Sequence, residues 1–216
     1  MKIKICGLKR KEDVDYVNQA VPDWVGFVFA GTKRQIDYET AKMLKQHLHP
    51  QIMVAGVFVN ADISFIIRLV AAGILDMIQL HGDEDQAYIL ELRSHLSECG
   101  KENVTVIKAV RVRMEEEIKE ADELPVDYLL LDAFDEESYG GSGKIFDHKL
   151  IPQLKKPFIL AGGITEKNVI CILEGLKEEG KLPVCVDVSS SVESNGYKDK
   201  EKIEKVIGKV RGWNYM

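Results

Sequence analysis

The sequence predicts a single (β/α)8 barrel over residues 1–216. Short apolar runs rich in β-branched residues alternate along the chain with amphipathic stretches, which is the pattern of a parallel sheet with helical crossovers. The runs are apolar throughout, as expected for strands buried on both faces. An open doubly wound sheet is the alternative, but no G-x-G-x-x-G motif follows the first run. One domain closed into a barrel is therefore favoured.

The apolar runs define eight candidate strands. In chain order they cover residues 3–6, 24–29, 53–58, 77–80, 104–110, 128–132, 158–161 and 184–187.

Amphipathic helices are predicted between these strands, because apolar residues at i, i+3, i+4 and i+7 form one buried stripe. The clearest stripes begin at Ile63, Val169 and Ile203, and weaker ones cover 14–17, 41–44, 89–96 and 114–121. The predicted N-caps are Asp37, Asn60, Asp83 and Thr165. The segment 135–146 is predicted to be a loop that Gly140, Gly141 and Gly143 make mobile, either as a lid over the substrate or as a simple flexible loop, and a short helical turn is predicted at 147–151.

Composition excludes several classes of function. The formal net charge of -6 argues against a general nucleic-acid-binding surface. No apolar run reaches the length of about 18 residues that a transmembrane helix needs, and no signal-peptide pattern follows the first basic residues. The four cysteines, Cys6, Cys99, Cys171 and Cys185, lack the spacing of a zinc site or disulfide framework. We therefore expect a cytoplasmic protein without a structural metal.

The candidate site lies where the predicted strands end. In a (β/α)8 barrel, catalysis takes place at the C-terminal ends of the strands. Here each of these ends carries polar residues or glycines. They are Cys6 and Gly7, Lys33 and Arg34, Asn60, His81 and Gly82, Arg111, Asp132, Gly162 and Gly163, and Asp187 with Ser189 and Ser190.

An ordered set of motifs covers essentially the whole chain. It comprises KICGL at 4–8, GFVFAGTKRQI at 26–36, AGVFVN at 55–60, IQLHGDE at 78–84, LLLDA at 129–133, GGSGKIFD at 140–147, LAGGI at 160–164 and VDVSSSVES at 186–194. Together they resemble the phosphoribosylanthranilate isomerases of tryptophan biosynthesis. The resemblance implies a cofactor-free Amadori rearrangement of a sugar-phosphate substrate by a monomer or homodimer. It implies neither a nucleic-acid nor a membrane partner.

The resemblance assigns the general base to Cys6 and the general acid to Asp132. A thiol acts as a base only as the thiolate, and its reference pKa of about 8.5 leaves it mostly protonated at neutral pH. Cationic neighbours can lower this pKa. Asp132 ends an apolar run, and partial burial there would favour the protonated acid. Cys99, Cys171 and Cys185 are predicted to be small buried hydrophobic residues instead.

Three further residues are predicted to bind the substrate. Arg34 matches the family's arginine toward the anthranilate carboxylate, which a guanidinium can bind through two parallel hydrogen bonds. Asp187 matches the family's contact to a ribose hydroxyl, with a turn cap as the alternative. His81 either tunes or orients the site or has a purely structural role, and the sequence does not decide between the two.

The phosphate is predicted to bind after strands seven and eight, to Gly162, Gly163, Ser189 and Ser190. Backbone N–H groups there can surround an anion, and glycine permits close approach. At the next position the family usually has glycine, whereas this chain has Ser191. If that position required a positive φ angle, serine would be strained.

Two other functions are consistent with a barrel of this kind. A related isomerase of histidine biosynthesis is one, but the resemblance implies aspartates at both of its catalytic positions, and Cys6 departs from that. The other is a sugar-phosphate-binding scaffold without activity, against which the presence of both Cys6 and Asp132 argues.

Overall fold

The computed structural model describes residues 1–133 and 146–213, and within them eight parallel strands close into a barrel in chain order. The predicted fold class is confirmed. The strands are β1 (Lys2–Cys6), β2 (Trp24–Val28), β3 (Met53–Phe58), β4 (Met77–Leu80), β5 (Thr105–Val112), β6 (Tyr128–Ala133), β7 (Phe158–Leu160) and β8 (Cys185–Val188).

The barrel closes where the first strand meets the last. On one side of β1, Lys4 pairs with Trp24 of β2, and on the other side it pairs with Asp187 of β8. Because all strands run in parallel, their C-terminal ends form one rim, and residues separated widely in sequence meet there.

Seven α-helices pack around the strands within the described ranges. They are α1 (Lys11–Ala20), α2 (Tyr38–His47), α3 (Ile63–Ala71), α4 (Gln86–Glu98), α5 (Glu115–Asp122), α6 (Val169–Glu178) and α7 (Lys200–Trp213). None of these helices is both long enough and apolar enough to cross a membrane.

Two connections differ from a simple β/α unit. Between β6 and β7 a 3-10 turn covers His148–Leu150, which confirms the short turn predicted at 147–151. The predicted loop and its glycines at 140, 141 and 143 lie outside the described residues. After β8, a 3-10 turn at Ser190–Val192 leads into a small hairpin of β9 (Glu193–Ser194) and β10 (Tyr197–Lys198), which the sequence did not predict.

The helix caps follow the prediction at one of four positions. Asp37 caps α2 by accepting a hydrogen bond from the Thr40 N–H at 2.8 Å. The N-caps of α3, α4 and α6 are Asp62, Asp85 and Asn168, so the predictions of Asn60, Asp83 and Thr165 were wrong.

Asn60 and Asp83 instead join two loops. Asn60 has a φ of 49°, its Nδ2 donates to Asp83 Oδ2 at 3.3 Å, and its Oδ1 accepts from the Asp83 N–H at 2.8 Å. Asparagine tolerates this left-handed conformation better than most residues. The pair ties the β3 exit to the β4 exit.

Two of the cysteine predictions are also wrong. Cys185 is buried as predicted, but Cys99 and Cys171 are exposed. Cys99 follows the last turn of α4, and Cys171 lies off the buried stripe of α6 formed by Val169, Leu173 and Leu176. Both thiols are therefore open to reagents.

The barrel interior is apolar at its base and polar above it. A cluster of inward-facing side chains fills the base, comprising Trp24, Ala55, Met77, Ile107, Ala109, Leu130, Ile159, Ala161 and Cys185. Near this cluster the interior contains Lys4 and Gln79, which are 0% and 1% exposed. The site lies directly above these two residues.

Candidate active site

Two adjoining depressions occupy the C-terminal rim of the barrel. They leave about 60 and 190 Å³ that water can occupy, and Asp132, Asp187 and Ser189 line both. The two depressions therefore form one elongated site with a shared centre.

Every site residue predicted from the sequence lies on the walls of these depressions. The first is lined by Cys6, Arg34, His81, Asp132, Asp187 and Ser189, and the second by Gly162, Gly163 and Ser190 together with the shared residues.

Cys6 ends β1 with its side chain in the first depression. Its neighbour across the sheet is Gly26, where a Cβ atom would lie only 2.5 Å from Cys6 Sγ, so glycine provides the space for the thiol. Burial raises the pKa of the thiol above its ordinary value, while the ammonium groups of Lys4 and Lys198 act in the opposite direction. The cationic neighbours expected from the sequence exist, but burial outweighs them in the free protein.

Asp132 lies near the end of β6 and is 5% exposed. Its Oδ1 accepts a hydrogen bond from the Ala133 N–H at 2.9 Å, and its Oδ2 lies 3.5 Å from His81 Nε2. Gly162 packs against this carboxyl group with a φ of 80°, and a Cβ there would lie 3.0 Å from Asp132 Oδ1. Gly162 is thus required both by its own backbone conformation and by the space that Asp132 occupies.

Arg34 is buried and its guanidinium is held by a carboxylate that the sequence did not predict. Arg34 Nε donates to Glu193 Oε1 at 2.7 Å, and Arg34 Nη2 donates to Glu193 Oε2 at 3.1 Å. Lys198 Nζ donates to the same Oε1 at 2.8 Å and to the Ser189 carbonyl at 2.9 Å. The hairpin after β8 therefore fixes the orientation of Arg34.

Glu193 stays ionised throughout the usual pH range. Burial alone would raise its pKa, but hydrogen bonds from Arg34 and the charge and hydrogen bond of Lys198 lower it to about 2. The bidentate pair uses two of the five N–H donors of Arg34, which leaves donors for a second anion. Glu193 lies within the motif at 186–194, and that position was the one available signal for it.

A buried polar layer lies beneath the site and was also missed. Lys4 Nζ donates to Gln79 Oε1 at 2.7 Å and to Asp187 Oδ2 at 3.2 Å. The other oxygen of Asp187, Oδ1, is buried without a partner among the described residues. Lys4 and Gln79 lie two positions before the predicted site residues Cys6 and His81. Residues two apart on a strand point to the same face, and this spacing could have identified Lys4 and Gln79 from the sequence.

The second depression is built from small residues. Gly162 and Gly163 both have positive φ angles, of 80° and 62°. The hydroxyl of Ser189 donates to the Cys6 carbonyl at 3.0 Å, and the first N–H groups of the following 3-10 turn have no acceptor within the turn. Ser191 does not adopt a positive φ angle, so the strain considered for it does not arise.

The arrangement fits a ligand with three chemically different parts. Beside Arg34, the first depression has an apolar wall formed by Val28, Ala30, Val57 and Val59. Cys6, Asp132 and Asp187 supply ionisable groups at the centre, and the second depression offers N–H and hydroxyl donors for an anion. The site can therefore perform acid–base chemistry on a ligand that has an anionic group at each end and an apolar part beside Arg34.

Comparison with known proteins identifies the family. The model of N-(5'-phosphoribosyl)anthranilate (PRA) isomerase matches residues 3–209. The N-(5'-phosphoribosyl)anthranilate isomerase of Endomicrobium trichonymphae is 45% identical over 210 residues, which cover 97% of this chain and 98% of the relative.

Solved structures agree with this match. A phosphoribosyl anthranilate isomerase in complex with reduced 1-(o-carboxyphenylamino)-1-deoxyribulose 5-phosphate is 31% identical, with a TM-score of 0.74 over 98% of this chain and 99% of its own. Monomers generated from the dimeric enzyme of Thermotoga maritima give 28% identity and a TM-score of 0.76 at the same coverage. This chain belongs to the N-(5'-phosphoribosyl)anthranilate isomerase family.

Proposed function

We propose that this chain isomerises N-(5'-phosphoribosyl)anthranilate to 1-(2-carboxyphenylamino)-1-deoxyribulose 5-phosphate in tryptophan biosynthesis, with Cys6 as general base and Asp132 as general acid. One observation carries the proposal. Both groups line the same depression, between an end suited to an aromatic carboxylate and an end suited to a phosphate. The reaction requires this separation of acid, base and anion sites.

The chemistry needs one proton donated and one removed. Asp132 donates its proton to the furanose ring oxygen, the C1'–O bond breaks, and the anthranilate nitrogen lone pair forms the C1'=N bond of an iminium ion. The thiolate of Cys6 then removes the C2' proton. The electron pair of that C–H bond forms the C1'=C2' bond, and the π pair of the C1'=N bond returns to the nitrogen and neutralises it. The resulting enol then loses its O–H proton and gains a proton at C1', which gives the ketone.

Other side chains orient the substrate in this proposal. Arg34 binds the anthranilate carboxylate with the donors that Glu193 leaves free, while the apolar wall packs against the ring. Asp187 Oδ1, which has no partner among the described residues, accepts a hydrogen bond from a ribose hydroxyl. The phosphate binds at Gly162, Gly163, Ser189 and Ser190 through backbone N–H groups.

The direct test is turnover of freshly prepared phosphoribosylanthranilate, followed by the loss of its anthranilate-type fluorescence. We expect conversion of this substrate, and much slower conversion of the same compound without its phosphate. Two outcomes would favour one of the two alternative functions. Binding without turnover would favour an inactive scaffold, and faster conversion of the histidine-pathway aminoaldose would assign the chain to that reaction instead.

Replacing Arg34 by alanine is expected to weaken substrate binding. The lost charged contact is worth about 1.5–3 kcal/mol, so kcat/KM should fall roughly 10- to 150-fold, mainly through KM. Steady-state kinetics measure this effect. Arg93→Ala is the matched control, because Arg93 also pairs with a carboxylate, Asp127 at 2.9 Å, but at the strand entries. Equal kcat/KM values for the two variants would contradict the role of Arg34.

The proposal extends to the state of the protein in the cell. We propose one catalytic domain over residues 1–216, acting in the cytoplasm without a metal or cofactor. A monomer or a homodimer is proposed, and the relative from Thermotoga maritima described above is dimeric.

A further inference from the structure

A line of buried polar contacts connects β1 to the proposed acid. It begins at Lys4 Nζ, which donates to Gln79 Oε1 at 2.7 Å. Gln79 Nε2 lies 2.8 Å from His81 Nδ1. His81 Nε2 is buried, has no hydrogen-bond partner among the described residues, and lies 3.5 Å from Asp132 Oδ2. The first three residues are 0%, 1% and 7% exposed, so water does not replace these contacts.

The direction of each hydrogen bond follows from the donors available. An ammonium group can only donate, so the oxygen of the Gln79 side chain must face Lys4. The amide nitrogen then faces His81, and it too can only donate. His81 Nδ1 must therefore accept, which means that it carries no hydrogen and that the ring proton is on Nε2.

The charge on Lys4 makes this orientation secure. Burial alone would lower the pKa of Lys4, but the Asp187 carboxylate at 3.2 Å and the Cys6 thiol raise it above its ordinary value. A rotated Gln79 amide would place its NH2 group against the ammonium. Two buried donors would then face each other without acceptors, which is costly.

We propose that Lys4 and Gln79 are positioning residues that fix His81 as the neutral Nε2–H tautomer beside Asp132. An imidazolium would need a hydrogen on Nδ1, where the Gln79 amide already donates. Titratable groups also face His81 from two other strands, namely Asp132 on β6 and Asp187 on β8, while Lys4 on β1 contacts Gln79.

The consequence concerns the proposed general acid, and so this inference rests on the proposed function. A full positive charge within about 4–6 Å of a carboxyl group strongly favours its ionised form. An ionised Asp132 would have no proton for the furanose oxygen. A neutral imidazole adds no such charge, and its Nε2–H can stabilise the carboxylate that forms when Asp132 donates its proton.

Nitrogen-15 NMR of the ligand-free protein near neutral pH tests the tautomer directly. Long-range proton–nitrogen correlation distinguishes a nitrogen that carries hydrogen from one that does not, and the spectrum of His81→Asn identifies the His81 signals. We expect a hydrogen on Nε2 and none on Nδ1. A hydrogen on Nδ1 of the wild-type protein overturns the proposal.

Gln79→Glu is the decisive variant, because it keeps the side-chain length and still accepts from Lys4. Its carboxylate would accept from Nδ1, so we expect a hydrogen to appear there. We also expect kcat to fall roughly 10- to 100-fold, a part of the about 10²- to 10⁴-fold that general acid catalysis supplies, with KM changed less than about 3-fold. An unchanged His81 spectrum in Gln79→Glu overturns the proposal.

Two further variants complete the design. Lys4→Met should give a mixture of both tautomers, since nothing then orients the amide. Lys45→Met is the control, because it removes a lysine that pairs with Asp76 at 2.6 Å near the strand entries, and it should leave the His81 spectrum and kcat unchanged. If the wild type shows the Nε2–H tautomer but no isomerase activity, the tautomer assignment stands and the proposed function fails.

Discussion

Replacing Cys6 by serine is expected to lower kcat by roughly 10²- to 10⁴-fold, the usual contribution of a general base. Serine fits the space that Gly26 leaves, so folding and ligand affinity should change little. Its hydroxyl has almost no anionic form near neutral pH and cannot take the C2' proton. Steady-state turnover together with thermal unfolding separates the loss of the base from a loss of structure.

The pH dependence supplies a control for this variant. The base must be deprotonated while Asp132 is protonated, so kcat/KM of the wild type should show a bell-shaped pH dependence. Burial raises the pKa of the Cys6 thiol, so the limb that Cys6 controls should lie at alkaline pH. Cys6→Asp supplies a carboxylate, whose ordinary pKa is much lower. It should recover part of the activity, with that limb moved to acidic pH. Near-normal turnover by Cys6→Ser would remove the thiol from the mechanism.

Alkylation offers a second route to the same conclusion. A bound product analogue should protect Cys6 from reagents and preserve activity. Cys99 and Cys171 are exposed and will also react, so the experiment needs a protein in which both are replaced by serine. Mass spectrometry of the labelled protein locates the modified thiol.

Replacing Asp132 by asparagine should lower kcat by roughly 10²- to 10⁴-fold as well, because the amide cannot protonate the furanose oxygen. The substitution is nearly isosteric. An amide oxygen can still accept the hydrogen bond from the Ala133 N–H that Asp132 Oδ1 now accepts at 2.9 Å. The protein should therefore fold, and KM should change much less than kcat.

Asp122→Asn is the matched control for this substitution. Asp122 is also buried, at 4% exposure, but it accepts hydrogen bonds from the backbone N–H groups of Lys155 and Lys156 near the entry of β7. Its loss should reduce the free energy of unfolding and leave kcat intact. If Asp132→Asn behaves like Asp122→Asn in both measurements, Asp132 is structural.

The barrel could be predicted from the sequence because parallel strands buried on both faces leave a simple apolar signal. The predicted strand limits agree with the structure to within two residues, as at 104–110 against Thr105–Val112. The helix N-caps were harder to predict, because aspartate and asparagine can either cap a helix or join two loops. Asn60 and Asp83 do the latter, and only the folded chain shows that their loops are neighbours.

Some residues of the site could likewise be predicted from the sequence, and others could not. Residues at strand ends could be predicted, since barrel closure brings all those ends to one rim. The pairing of Arg34 with Glu193 joins positions 159 residues apart, and no local pattern reports such a pair. The predicted burial of Cys99 and Cys171 was wrong for another reason. A general preference of cysteine for burial does not decide which side of a helix faces the core.

The pairing of β1 with β8 determines when the site can be completed during synthesis. Lys4 lies on β1, which is synthesised before the other barrel strands, but its carboxylate partner Asp187 follows 183 residues later. At a synthesis rate of about 5–20 residues per second, the amino-terminal strand waits many seconds for that partner. Asp187 and Lys198 act on the Cys6 thiol, Glu193 orients Arg34, and Ser189 and Ser190 line the second depression. The nascent chain therefore has no complete site until residues 187–198 have been synthesised.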